Sequence, residues 1–292
     1  MGLSTLVICR SPVKFRSIKN LFSRDKYATS TYDLSGQNTP LDLIYSNFQG
    51  KAALVPIERC RSHMLGFTPS GNPFVESLKI YARSKREYTG SVLEYYYKNY
   101  CPSSMRSVLL SDDDSLNKYH SMATVLPWGI ATPEQKLPKV CVDPEATKLF
   151  SSEAKKLGLS EKDNYGWQFF GPISEGLGQL EYQRLIAVFN SIKNSGYLPE
   201  QHGFIHGQFL VSDDDWVWVN IGGKHRFASL AALDFKTIPV ALNSRSSALF
   251  IRRVDVEYWP NVRNGLFSKA DALNIFDRLM SGNTYTSLIN NQ

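Results

Sequence analysis

The sequence predicts an α/β (α+β) protein, and three observations carry that reading. Apolar residues fall at helical spacing over residues 73–100 and again over 180–195. Short β-rich runs at 204–211 and 216–221 flank the turn Ser212-Asp213-Asp214-Asp215, the pattern of a hairpin. The chain has 292 residues, 42% of them hydrophobic, which supplies a packed core and excludes general disorder. That length suggests about two domains. The expected division is a mixed, partly helical N-terminal region over 1–165 and a more regular C-terminal domain over 166–292, with the boundary at 158–164.

Taken in order, the first sixty residues combine short apolar runs, Leu3 to Cys9 and Ala52 to Ile57, with turn-formers such as Ser35-Gly36-Gln37-Asn38, so short strands and loops are expected. Val75, Leu78, Ile80 and Tyr81, then Val92, Leu93, Tyr96 and Tyr97, mark helices ended by Cys101-Pro102. The Tyr95-Tyr96-Tyr97 cluster could stack on bases or sugars, but at this spacing helix-packing core is the preferred reading. Four prolines between Thr124 and Pro144 suggest an extended surface connection, followed by a short helix near 145–156. The helix over 180–195 carries Leu185, Val188, Phe189 and Ile192 on one face, with Gly196 as C-cap. After the hairpin come Gly222-Gly223-Lys224-His225-Arg226 and a helix bearing Phe227, Leu230, Ala231 and Leu233. Strands are expected at 237–242 and 249–256. Ser268-Lys269-Ala270-Asp271 resembles a capping box at the head of the last long helix.

Composition narrows the function. The longest apolar runs fall short of a membrane span and the mean hydropathy is −0.27, so a soluble cytoplasmic protein without a membrane partner is expected. Cys9, Cys60, Cys101 and Cys141 lie too far apart in sequence for a zinc knuckle or a redox pair and are read as reduced thiols. The net charge is +6, and all of it falls in residues 1–165, with 22 basic against 16 acidic side chains. Those charges are interleaved, and only Arg83-Ser84-Lys85-Arg86 is a tight basic cluster. Counterion release rewards a concentrated basic stripe, so the pattern argues for a solvated face over a nucleic-acid surface.

The strongest chemical signal is a strand, two glycines and a helix opening with three potential cations. Glycines allow close backbone approach to an anion, and unpaired N–H groups at a helix start point outward with partial positive charge. Gly222, Gly223, Lys224, His225 and Arg226 are therefore candidate phosphate ligands, Lys224 and Arg226 as charged donors. A glycine-mediated turn with solvated Lys and Arg is the alternative. His202 and His206 are four apart, a metal-like spacing, but Gly203 and Gly207 make a helix there unfavourable. Asp213-Asp214-Asp215 could hold magnesium, but a solvated hairpin turn is the preferred reading.

The run Ile221-Gly222-Gly223-Lys224-His225-Arg226-Phe227-Ala228, with Leu233 and Ile238-Pro239-Val240 after it, resembles the ParB/sulfiredoxin-like superfamily. Leu185, Ser191-Ile192, Gly196 and Pro199 extend the resemblance upstream, so that it covers roughly residues 175–245. Sulfiredoxins carry a catalytic cysteine where Lys224 stands, and no cysteine follows Cys141, so thiol chemistry is excluded for this site. Chromosome-partitioning ParB proteins bind CTP through a G-E-R-R motif and add a DNA-binding helix-turn-helix; Lys224-His225 departs from that motif. The resemblance to free-serine kinases implies a nucleotide-dependent phosphotransferase using ATP or ADP, with Mg2+ accompanying the nucleotide and a glutamate as general base. Glu181, near the start of the preceding helix, is the candidate for that base; a carboxylate facing the helix dipole or Arg184 is the alternative. Asn72-Pro73-Phe74, Ser91 with Tyr96-Tyr97, Leu126-Pro127-Trp128, Gly171-Pro172 and Trp259-Pro260 also resemble ParB-like proteins encoded near glycan-biosynthesis enzymes, which implies a sugar, glycan or other small-molecule acceptor. A non-catalytic ParB-like module that binds CTP or ATP and either regulates a partner or associates with DNA is the competing expectation.

Overall fold

The computed structural model of the protein describes residues 31–36, 38–136, 169–213, 215–242 and 248–291. The apolar run Leu3 to Cys9, Cys9 and Cys141, the helix expected near 145–156 and the boundary expected at 158–164 lie outside the described residues. Within them the fold is mixed α/β.

The strands are β1 (Thr31–Asp33), β2 (Ala52–Pro56), β3 (Cys60–Ser62), β4 (His206–Ser212), β5 (Asp215–Gly222), β6 (Thr237–Ala241) and β7 (Phe250–Arg252). They form one sheet in the order β1-β2-β6 and another in the order β3-β5-β4-β7. In the first, β1 runs parallel and β6 antiparallel to β2; in the second, the β4–β5 hairpin is flanked by parallel β3 and β7. The chain passes between the sheets three times, the last of them between β6 and β7. Between β2 and β3 it does so through the single 3-10 turn Ile57–Arg59, and between β5 and β6 through a helix. A bridge from Ala241 N–H to the carbonyl of Ile205 at 2.9 Å ties the two sheets together.

The helices are α1 (Pro40–Tyr45), α2 (Pro73–Ser84), α3 (Val92–Asn99), α4 (Met105–Leu109), α5 (Glu175–Ser195), α6 (Pro199–His202), α7 (Lys224–Ala232), α8 (Pro260–Arg263), α9 (Lys269–Ser281) and α10 (Tyr285–Asn290). Both helices expected within 73–100 form. Asn72 and Ser91 cap them by accepting from the N–H groups of Phe74 and Glu94. Tyr96 and Tyr97 are buried and Tyr95 is exposed, which makes the tyrosine cluster a core feature. Helix α7 packs against α5 and α2, and its small residues Ala228, Ser229 and Ala231 are all buried there.

Four expectations change. Helix α5 begins at Glu175 instead of near Leu180, because Ser174 accepts from Leu177 N–H and caps it earlier. The strand expected over 249–256 stops at Arg252 and continues as the 3-10 segment Arg253–Tyr258. Among the described residues its ladder partner is β4, and their pairing ends at Val211↔Arg252. The connection through residues 124–136 is not a surface strap, since Val125, Leu126 and Trp128 are buried and Trp128 packs edge-on against Trp259 and Phe276. At the head of α9, Ser268 accepts from Asp271 N–H, but the Asp271 carboxylate accepts from Ser111 Oγ at 2.6 Å, so the box is half formed.

Among the described residues three apolar clusters make up the core, and each draws on residues from both sides of position 165. Both sheets cross the same line, through β2–β6 and β3–β5. Residues 31–136 and 169–291 thus build shared cores.

Candidate functional site

The site forms where β5 leaves its sheet and turns into α7. Strand β5 ends at Gly222, and Gly223 is the N-cap of α7 with φ +85°, in the left-handed region that costs a residue with a Cβ about 1–2 kcal/mol. Gly222 needs no such freedom: a Cβ there would meet the His206 side chain at an ordinary 3.6 Å. Gly223 has no side chain with which to cap α7, so the first N–H groups of the helix keep their outward direction. Arg226 lies over this turn. Its Nη1 donates to the carbonyls of His202 (2.8 Å) and Gly203, while Nη2 and Nε lie 2.9 and 3.2 Å from the point that a Cβ added at Gly223 would occupy. One edge of the guanidinium is anchored to the end of α6, and the other faces the glycine turn.

Glu181 stands well inside α5, beyond the first turn, so the helix N-terminus does not explain it. Its side chain is 0% exposed, and Oε1 lies 2.6 Å from Lys224 Nζ and 2.7 Å from His225 Nε2. Glu181 Oε2 is buried without a hydrogen-bond partner among the described residues. Burial by itself would raise this carboxylic acid, but Lys224 and His225 outweigh it and hold the group down at about 2. Lys224 is pushed below its ordinary value by burial, which the Glu181 charge partly opposes. The Lys224 ammonium also sits over the rings of Phe74 and Phe169 at 5.0 and 4.9 Å. It points back toward Glu181 instead of forward over the glycine turn.

Beside Lys224 is a cavity of about 30 Å³, room for a water molecule or two. Phe67, Phe74, Phe169 and Phe227 wall it, and Asn220 borders it with an Nδ2 that is buried and has no hydrogen-bond partner among the described residues. Asn220 was not singled out from the sequence, yet it is the one polar residue in the apolar run Trp216 to Ile221, directly before the glycines. Phe74 does occur in the Asn72-Pro73-Phe74 element, but nothing in the sequence marked it as facing Lys224.

The sequence candidates therefore converge in part. Glu181, Lys224 and His225 meet through one carboxylate oxygen, and Arg226 joins Gly223 on the adjoining surface. His202 and His206 stand apart, one in α6 and one at the start of β4 across a glycine turn, and Asp215 forms an ion pair with Arg59 at 2.7 Å. Among the described residues no group of three His, Cys, Asp or Glu side chains could hold a metal ion, and no helix is long and apolar enough to cross a membrane. The chain matches no protein-family model, no curated protein and no solved structure.

Proposed function

We propose that the protein is a nucleotide-dependent phosphotransferase that moves a phosphoryl group from ATP or ADP to a hydroxyl of a sugar, glycan or other small metabolite. The observation that carries this reading is the meeting of Glu181 with Lys224 and His225, residues more than forty positions apart, at the first turn of a helix entered through Gly222-Gly223. Phosphoryl transfer needs charge neutralisation, alignment and a group that takes the acceptor's proton. The uncapped start of α7 and the free edge of Arg226 supply donors for phosphate oxygens, and the Glu181 cluster places proton-handling groups beside them. Magnesium would arrive with the nucleotide and neutralise phosphate charge.

The burial of Glu181 favours a second reading. A fully buried carboxylate held at about 2 is a weak base, which suits a ParB-like module that binds CTP or ATP without turnover. Calorimetric titration with Mg-ATP, Mg-ADP and Mg-CTP, followed by measurement of phosphate release, separates the two. Nucleotide binding with turnover is expected, and Arg226→Ala should weaken binding by about tenfold or more, as loss of a charged donor pair. Binding without turnover would favour the module. Full affinity in Arg226→Ala would remove the phosphate site.

A further inference from the structure

We propose that His225 is the proton acceptor of this site and that Glu181 is the residue that positions it, an inference that rests on the phosphotransferase reading above. The two side chains share a 2.7 Å hydrogen bond, but they differ in access. Glu181 is 0% exposed and His225 15%, so an acceptor hydroxyl can approach the imidazole without entering the core. The Glu181 carboxylate, held ionised beside the Lys224 ammonium, can only accept. His225 Nε2 must therefore carry the hydrogen of the shared bond, and the Nδ1 lone pair becomes the basic atom. Nδ1 makes no hydrogen bond among the described residues.

The same arrangement keeps the ring in place. His225 is fixed in the first turn of α7, next to the uncapped N–H groups, and Ser229 Oγ donates to its carbonyl at 2.7 Å. Lys224 shares Oε1 and balances the carboxylate until a proton arrives. A buried carboxylate on one nitrogen then stabilises the imidazolium that forms, the role such a carboxylate plays in hydrolase triads. In the step itself, the acceptor O–H bond breaks and its proton moves to Nδ1. The acceptor oxygen forms a bond to the terminal phosphorus, and the bond from that phosphorus to the bridging oxygen breaks. The nucleotide leaves with the electron pair, as ADP from ATP or AMP from ADP, and the imidazolium returns its proton to solvent.

The test uses the full chain, with Mg-ATP and Mg-ADP as probes and water as the hydroxyl acceptor. Nitrogen NMR of the free protein, with His225 assigned by its own substitution among five histidines, should show the Nε2–H tautomer. His225→Ala should bind nucleotide within about threefold of the parent, release phosphate ~100-fold more slowly, and recover at least about tenfold in millimolar imidazole. Glu181→Gln should lower kcat while leaving KM for nucleotide within about threefold, the signature of lost positioning. Should loss of the buried charge prevent folding, Glu181→Gln/Lys224→Met removes both partners of the pair and carries the same expectation. An Nδ1–H tautomer, parental turnover in His225→Ala, or a loss that imidazole does not restore overturns the proposal. Absence of nucleotide binding or of phosphate release in the parent protein overturns the phosphotransferase reading and this inference with it.

Discussion

Glu181 shows how far a residue's chemistry depends on what surrounds it. Next to a helix start it would be a solvated carboxylate; inside α5, beneath Lys224 and His225, it is a buried anion with two donors on one oxygen. Removing one partner of such a pair typically costs about 3–5 kcal/mol, because the other charge stays buried. The depressed value also sets a pH dependence. In the unfolded chain the group titrates near 4.5, and in the fold it is held at about 2. A folded value below the unfolded one stabilises the protein above 4.5, and that contribution is lost as the pH falls from 4.5 toward 2. Denaturant titrations across that range should show the parent losing stability more steeply than Glu181→Gln, whose residual slope reports the other carboxylates. Equal slopes would mean that Glu181 is not held ionised by its neighbours.

At the scale of elements, α5 and α7 are fitted to each other and to the helices around them by small residues at chosen places. Gly178 lies inside α5, where replacement by Ala would ordinarily stabilise a helix by about 0.4–1 kcal/mol. Here a Cβ would fall 2.0 Å from Tyr88 Oη and 2.3 Å from its Cζ. The ring cannot easily give way, since Tyr88 is buried and lies 5.9 Å from the ring of Tyr182, whose hydroxyl donates to the carbonyl of Arg86 at 2.6 Å. Gly178→Ala should therefore destabilise by about 1–3 kcal/mol, read as a lower denaturant midpoint at unchanged slope. Tyr88→Ala in the same chain should remove most of the added cost of Gly178→Ala, because the clash is with that ring. A stabilising Gly178→Ala would show that the close approach of Tyr88 to α5 does not constrain the packing.

For the whole molecule, the chain path matters more than the expected boundary. Strand β6 pairs along the whole of β2, and β3 covers the edge of β5. Without residues 31–136, the C-terminal segment would expose the Trp218, Leu230 and Val240 cluster that Ala53, Val55 and Cys60 close. It would also leave the edges of β5 and β6 unpaired, with the hazard that open strands carry. A fragment of residues 166–292 should accordingly lack a cooperative thermal transition and bind an apolar dye, whereas the full chain should unfold cooperatively. A fragment that melts cooperatively with dispersed amide resonances would establish an independent domain.

The sequence by itself determined the local elements. Helical spacing at Val75, Leu78 and Tyr81, the hairpin around Ser212 to Asp215, and the strand–glycine–helix order through Gly222 and Gly223 are set by side-chain periodicity and backbone conformation within a few residues. It also brought forward Glu181, Lys224, His225 and Arg226 as one group. Only the tertiary structure decided how they are arranged: Glu181 sealed in the core, Lys224 turned back between Phe74 and Phe169, and Arg226 anchored on α6. Asn220 and the aromatic walls of the cavity belong to the same category, as do the early end of β7 and the sharing of cores across position 165. Local patterns fix which residues face one way along an element, but pairing between distant strands and the direction of a buried charge depend on contacts across the fold. Those contacts leave no periodic trace in the chain.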